Sequence, residues 1–280
     1  MMNKTPFFSH TLVYVFFSIF LFFSVSTQAS PELDRLLEME EVQDLYPVQH
    51  RVFGVPLIAT KRTPKKAVQH ALKVFKGYLD NDNDGKADNL EVIDALIKNH
   101  GGMVLGKNED DWVDHFEELI GLIEENYDDV DVIEQSLFSL FANEVNPRNE
   151  FDASLEEILH LITHIGYGNA YPGVWGLEEG TPLAKAMDTA RGGHYEDVPS
   201  RYPSRAWFTY EDDECDYACQ MVEYTYWALT SYMGLQAGRG DDIGEEWKLA
   251  SSQQFKTKDK AMLALITDAN YKLPLRSPLD

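Results

Sequence analysis

The sequence predicts a mainly α fold: a single compact helical domain over residues 30–280, its helices joined by long ordered loops. Three observations carry this. Apolar residues recur at helical spacing in most of the longer segments. Start and stop signals bracket several of them, such as Thr181-Pro182 before and Gly192-Gly193 after one short helix. Period-two alternation is scarce, and only Arg51-Val52-Phe53-Gly54-Val55 leans toward β, enough for one short strand.

Residues 1–29 read as a secretory signal peptide. Lys4 and His10 precede the apolar run Thr11 to Val25, and Thr27-Gln28-Ala29 offers small residues for cleavage near Ala29. The expected destination is extracellular or periplasmic, with no membrane attachment after cleavage. The 280-residue chain has 47 acidic and 24 basic residues, a net charge of −23. Removing the signal removes Lys4 and no acid, so −23 − 1 gives −24 for the remainder. Such a surface repels nucleic acid and anionic lipid and attracts cations. The two cysteines, Cys215 and Cys219, are expected to pair in an oxidising compartment. Two reduced thiols on one helical turn, or a metal pair, are the alternatives.

Along the chain, Pro31 to Val42 reads as a short acidic helix, followed by an irregular segment to Thr63. Pro64 to Leu79 is helical, with Val68, Ala71, Leu72, Phe75 and Tyr78 on one face. It runs into Asp80-Asn81-Asp82-Asn83-Asp84-Gly85-Lys86-Ala87-Asp88-Asn89-Leu90-Glu91, after which helix resumes through Ile97. This stretch resembles the EF-hand calcium loop. The resemblance implies calcium ligation by Asp80, Asp82 and Asp84, the Lys86 carbonyl, Asp88 and a bidentate Glu91, within an EF-hand-like unit spanning 65–100. Gly85 sits where the loop needs a left-handed turn. Ala87 departs from the β-branched or large apolar residue expected there, and no second loop follows, which implies a structural or weakly binding site. A solvated Asp/Asn turn is the alternative.

Asp110 to Asn126 and Val130 to Asn143 read as amphipathic helices with acidic outer faces. Tyr167 to Gly180 and the segment up to Glu214 read as loops flanking a helix at Thr181 to Arg191. The helix from Cys215 to about Met233 is apolar nearly all round, hence buried, and Glu223 within it is the anomaly. Glu245 to Ser252 and Lys258 to Asp268 complete the helical inventory.

The stretch that organises the rest is Phe151–Gly168, FDASLEEILHLITHIGYG. Ser154 with Glu157 fits a capping box, or Asp152 caps. Leu155, Ile158, Leu159, Ile162 and Ile165 form the apolar face. Glu156/His160 and His160/His164 are pairs four apart, each able to chelate one ion. The helix is similar to that of zincin metallopeptidases, in which His-Glu-x-x-His places two zinc ligands around a general-base Glu. In one frame Glu156 replaces the first His, Glu157 falls on the catalytic position and His160 is the second ligand. In the other His160 and His164 both ligate and Leu161 replaces the base. The two cannot combine on one ion, because His164 lies roughly 12 Å along the axis from Glu156.

A catalytic zinc takes three protein ligands, and the gluzincin branch of the zincins draws its third, a Glu, from a downstream helix. That implies Glu223 here, with His194 as second choice and residues 151–235 as the metal-site core. The frame with both His is preferred, since imidazole binds zinc better than a second carboxylate. The resemblance thus implies a zinc-dependent hydrolase acting on a protein or peptide. The alternative is a non-catalytic extracellular calcium-binding protein whose His and Glu form a buried polar network.

Overall fold

Four short strands in one sheet overturn the mainly α expectation. The computed structural model describes residues 31–128, 130–148 and 151–280; the expected signal peptide lies outside them. After α1 (Pro31–Glu38) and α2 (Glu40–Leu45), β1 (Val48–Val52) and β2 (Val55–Ala59) form an antiparallel hairpin. Its two-residue turn is Phe53-Gly54, both at positive φ. The sequence allowed one strand here; the turn falls in its middle and makes two. Helices α3 (Lys65–Leu79) and α4 (Leu90–Lys98) lead to β3 (Gly102–Gly106), parallel to β2. Helix α5 (Glu109–Asn126) and the short α6 (Val130–Glu134) lead to β4 (Leu137–Phe141), parallel to β3. The sheet order is β1-β2-β3-β4, so the fold is mixed α/β with helices dominant.

The sheet divides two apolar cores by strict alternation. Leu57, Ala59, Met103, Leu105 and Leu140 join the larger core, with α3 and α4. Ile58, Val104 and Leu137 point the other way, onto Leu36, Leu37, Leu119 and Ile123 of α1 and α5. Strand β3, buried along its whole length, has no polar partner residues to reveal a period of two. Strand β4 lies inside the predicted helix Val130 to Asn143. Its Ile133, Leu137, Leu140 and Phe141 fit a helical template, yet the helix stops at Glu134.

The remainder is helical: α7 (Ser154–Leu161), a π-helical continuation (Ile162–Tyr167), α8 (Gly168–Ala170), α9 (Pro172–Trp175), α10 (Pro182–Arg191), α11 (Tyr217–Met233), α12 (Gly240–Ile243), α13 (Ser252–Lys258) and α14 (Lys260–Ile266). The predicted helix from Glu245 to Ser252 does not form. That stretch instead sets Trp247 in an isolated bridge to Phe208, and α13 starts only at Ser252, behind a Ser251/Gln254 capping box. Among the described residues no helix is long and apolar enough to cross a membrane.

Candidate metal centre

Helix α7 starts on Asp152, whose Oδ1 accepts from the Ser154 amide (3.1 Å) and hydroxyl (2.6 Å). Asp152, one residue ahead of the N-cap Ala153, thus braces the first helical residue, and the Ser154/Glu157 capping box does not form. His70 Nε2 lies 2.5 Å from the other oxygen of the same carboxylate, tying the helix start to α3. Leu155, Ile158, Leu159 and Leu161 anchor α7 in the larger core. Beyond Leu161 the helix widens to a π turn, where Thr163 donates its hydroxyl to the Leu159 carbonyl at 2.9 Å. Gly166 in this turn packs on Val92 and Leu96 of α4, a close approach that a side chain would obstruct.

Helix α11 supplies the opposing wall. Asp216 caps it by accepting from Cys219 N. Cys215 and Cys219 form a disulfide across this first turn, one turn before Glu223. The sequence reading of a buried helix with one anomalous carboxylate matches: α11 is buried along most of its length, and the Glu223 side chain is 14% exposed.

Together, the two helices bring Glu156, His160 and Glu223 into one cluster, with ligand-capable atoms all within 4.8 Å of one another. His160 Nε2 lies 3.7 Å from Glu223 Oε2. That nitrogen is buried and has no hydrogen-bond partner. A tetrahedral zinc about 2.1 Å from each of three such ligands would set their atoms roughly 3.4 Å apart. The cluster fits a metal with a small inward movement.

The electrostatics agree. Burial, with His164 nearby, holds His160 down to about 3, so its imidazole is neutral. The 3.7 Å approach to Glu223 is therefore not an ion pair at neutral pH; it joins an open lone pair to an acid. Burial and the charges of Glu156, Glu157 and Glu246 push Glu223 up to about 9, opposed by a hydrogen bond from Tyr210. Burial likewise lifts Glu156 to about 7, against a hydrogen bond from Tyr226 and the charge of Arg239. Crowded carboxylates beside a neutral imidazole have Arg239 as a counter-charge on Glu156, and a divalent cation would add the positive charge that Glu223 is not given.

Glu157 stands on the other side of His160, its Oε2 4.0 Å from Nδ1 and its side chain 35% exposed. Burial and the neighbouring Glu156 and Glu144 raise its pKa. His164, by contrast, turns to β4, its ring 5.9 Å from that of Phe138. It is not among the clustered ligand atoms, so the geometry favours the frame of Glu156, Glu157 and His160 over the one with both His. His194 sits elsewhere, in an exposed cluster with Glu179 and Glu196, and bonds to Asp188 at 3.0 Å.

Sequence reasoning missed the surrounding shell. Gln236 Nε2 donates to the Tyr226 hydroxyl at 3.2 Å, and Arg239 donates to Gln236 at 2.5 Å, a relay that ends on Glu156. Tyr226 lies three residues after Glu223 on one helix, so its spacing could have flagged it; Tyr210, Gln236 and Arg239 come from loops and carry no such signal.

The acidic loop between α3 and α4 gathers a second group. Asp80, Asp82 and Asp84 offer oxygens within 4.8 Å of one another, and Gly85 adopts φ +89°. Asp80 is fully buried; one oxygen takes Lys76 Nζ (2.5 Å) and the Gly85 amide (3.1 Å), while the other has no partner. Asp88 instead accepts from Asn81 N at 2.7 Å, and Glu91 bonds to Tyr171. Three of the six expected ligand positions thus converge. Comparison with family models, with curated proteins and with solved structures finds no match to this chain.

Proposed function

We propose that the chain is a secreted zinc-dependent hydrolase of peptides, with Glu156, His160 and Glu223 as metal ligands and Glu157 as general base. A calcium ion in the loop Asp80 to Glu91 would be structural. One observation carries the reading: Glu156, the buried unpartnered Nε2 of His160, and Glu223 converge from two separate helices. The disulfide supports export to an oxidising compartment.

A bound zinc supplies Lewis-acid polarisation of a carbonyl and acidifies water. The chain's own groups do the rest. Glu157, partly open to solvent and made more basic by burial and the neighbouring Glu156, accepts the proton of the attacking water. Tyr226, with Gln236 and Arg239 behind it, fixes the Glu156 carboxylate. Tyr210, bonded to Glu223, orients the third ligand and stands at the mouth of the site.

Glu157→Gln separates this reading from its rival. Peptide hydrolysis by the zinc-loaded wild type, lost in Glu157→Gln with zinc content retained, supports the hydrolase. Stoichiometric zinc with no hydrolysis of any peptide in a mixed library refutes it. The second reading, a non-catalytic calcium-binding protein with a buried His/Glu network, is favoured by the unpartnered buried oxygen of Asp80.

A further inference from the structure

A groove of about 600 Å³ opens beside the metal centre. Tyr210, bonded to Glu223, lines it, and so does Glu246, whose charge acts on both Glu156 and Glu223. Its lining mixes Arg201 and Lys248 with Glu211, Glu245 and Glu246, so this first groove offers no net positive charge and the anion-binding groups must lie beyond it. Lys248 also lines a second groove of about 660 Å³, so the two adjoin at that side chain.

The second groove is unlike the rest of the molecule. Its floor is Ala206, Trp207 and Leu249, its walls carry Arg205, Lys248 and Lys258, and no Asp or Glu lines it. Acids outnumber bases 47 to 24 in this chain, yet none of these three cations is in an ion pair among the described residues. Each is nonetheless held by neutral groups. Arg205 donates to the Gly192 carbonyl (2.5 Å), Lys248 to the Ala206 carbonyl (2.9 Å), and Lys258 lies 4.7 Å from the centre of the Trp207 ring. Cations fixed in place without carboxylates keep their charge available for an occupant.

We infer that the substrate is an acidic peptide that runs from the metal centre through the first groove and sets its carboxylate side chains among Arg205, Lys248 and Lys258. This rests on the hydrolase reading for the scissile bond, but not for the binding. An extended chain suits two adjoining grooves better than a small anion does. A strongly acidic surface repels an anionic ligand at long range, so capture depends on a local cationic groove acting within a Debye length of about 8–10 Å. The same groove rejects basic peptides, which the rest of the surface would attract.

The test is fluorescence anisotropy with a labelled Glu-Ala repeat peptide and a Lys-Ala repeat of the same length. Both are titrated into full-length Glu157→Gln protein with EDTA and with zinc. The acidic peptide binds in both conditions, more weakly as salt rises, and the basic one does not. Lys248→Gln/Lys258→Gln weakens binding roughly tenfold. Thr257→Glu, which adds a carboxylate at an exposed position and leaves the contacts of Arg205, Lys248 and Lys258 with Gly192, Ala206 and Trp207 intact, does the same if the double variant misfolds. No binding of the acidic peptide, equal binding of the basic one, or unchanged affinity in both variants overturns the inference. Binding without hydrolysis by zinc-loaded wild type instead removes the hydrolase reading and leaves this one standing.

Discussion

Replacing Gly166 with alanine tests the packing that sets the metal helix against α4. A Cβ there would lie 2.8 Å from Val92 Cγ1 and 3.3 Å from Leu96 Cγ. Neither neighbour has room to yield, since Val92 is 1% and Leu96 0% exposed. Overpacking costs about 1–3 kcal/mol, while Gly→Ala in a helix returns about 1 kcal/mol. The net is a destabilisation of up to about 2 kcal/mol, or a fall in Tm of up to roughly 8 °C for a chain of this size. Gly121 in α5 is the internal control, because a Cβ there meets nothing within 4 Å. Gly121→Ala should therefore raise Tm by roughly 2–4 °C. The assay is calorimetric unfolding of both variants beside wild type. Equal stabilisation by both would refute the close approach of α4 to the π turn.

Three further outcomes are expected. Replacing both cysteines with serine opens a very short loop, so calorimetry should show a loss of only about 2 kcal/mol; a loss above about 4 kcal/mol would mean that the disulfide holds more than the first turn of α11. In EDTA, stability should fall as pH rises from about 4.5 through 7 toward 9, because folding raises Glu156 and Glu223 above 4.5 and binds protons that the unfolded chain releases. His160, lowered from 6.5 to about 3, has the opposite sign, its contribution present above 6.5 and lost as pH falls. Glu223→Gln should flatten the alkaline fall, and a Tm profile as steep as wild type would count against the raised carboxylate. Calcium at 100 times its Kd should stabilise wild type by about 2.7 kcal/mol, and Asp80→Ala should abolish that gain; an unchanged calcium shift in the variant would sink the loop assignment.

What the sequence disclosed depended on how far each signal reached. Helices α3, α5, α10 and α11 declared themselves through local periodicity and caps, and Glu223 stood out because a carboxylate inside an apolar helix needs a partner. The sheet stayed hidden for two reasons: β3 is uniformly buried, and the apolar spacing across α6 and β4 fits a helix as well as a strand. Acids were read as solvated, yet Asp111 on α5 is fully buried, accepting from Thr60 Oγ1 at 2.7 Å and Lys107 N at 2.8 Å. What favours one proposed metal frame over the other is something no spacing rule contains. The π turn after Leu161 and the position of β4 send His164 toward Phe138, while Tyr226 and Glu223 face His160. Ligand preference alone favoured His160 with His164, whereas the atoms that cluster are those of Glu156, His160 and Glu223.

The most direct measurement is zinc content per chain after dialysis, by elemental analysis, in wild type, His160→Ala, Glu223→Ala and His164→Ala. One zinc in wild type and in His164→Ala, lost from His160→Ala and from Glu223→Ala, is the predicted result. Zinc retained without Glu223 but lost without His164 would contradict the centre described above and restore the frame with both His.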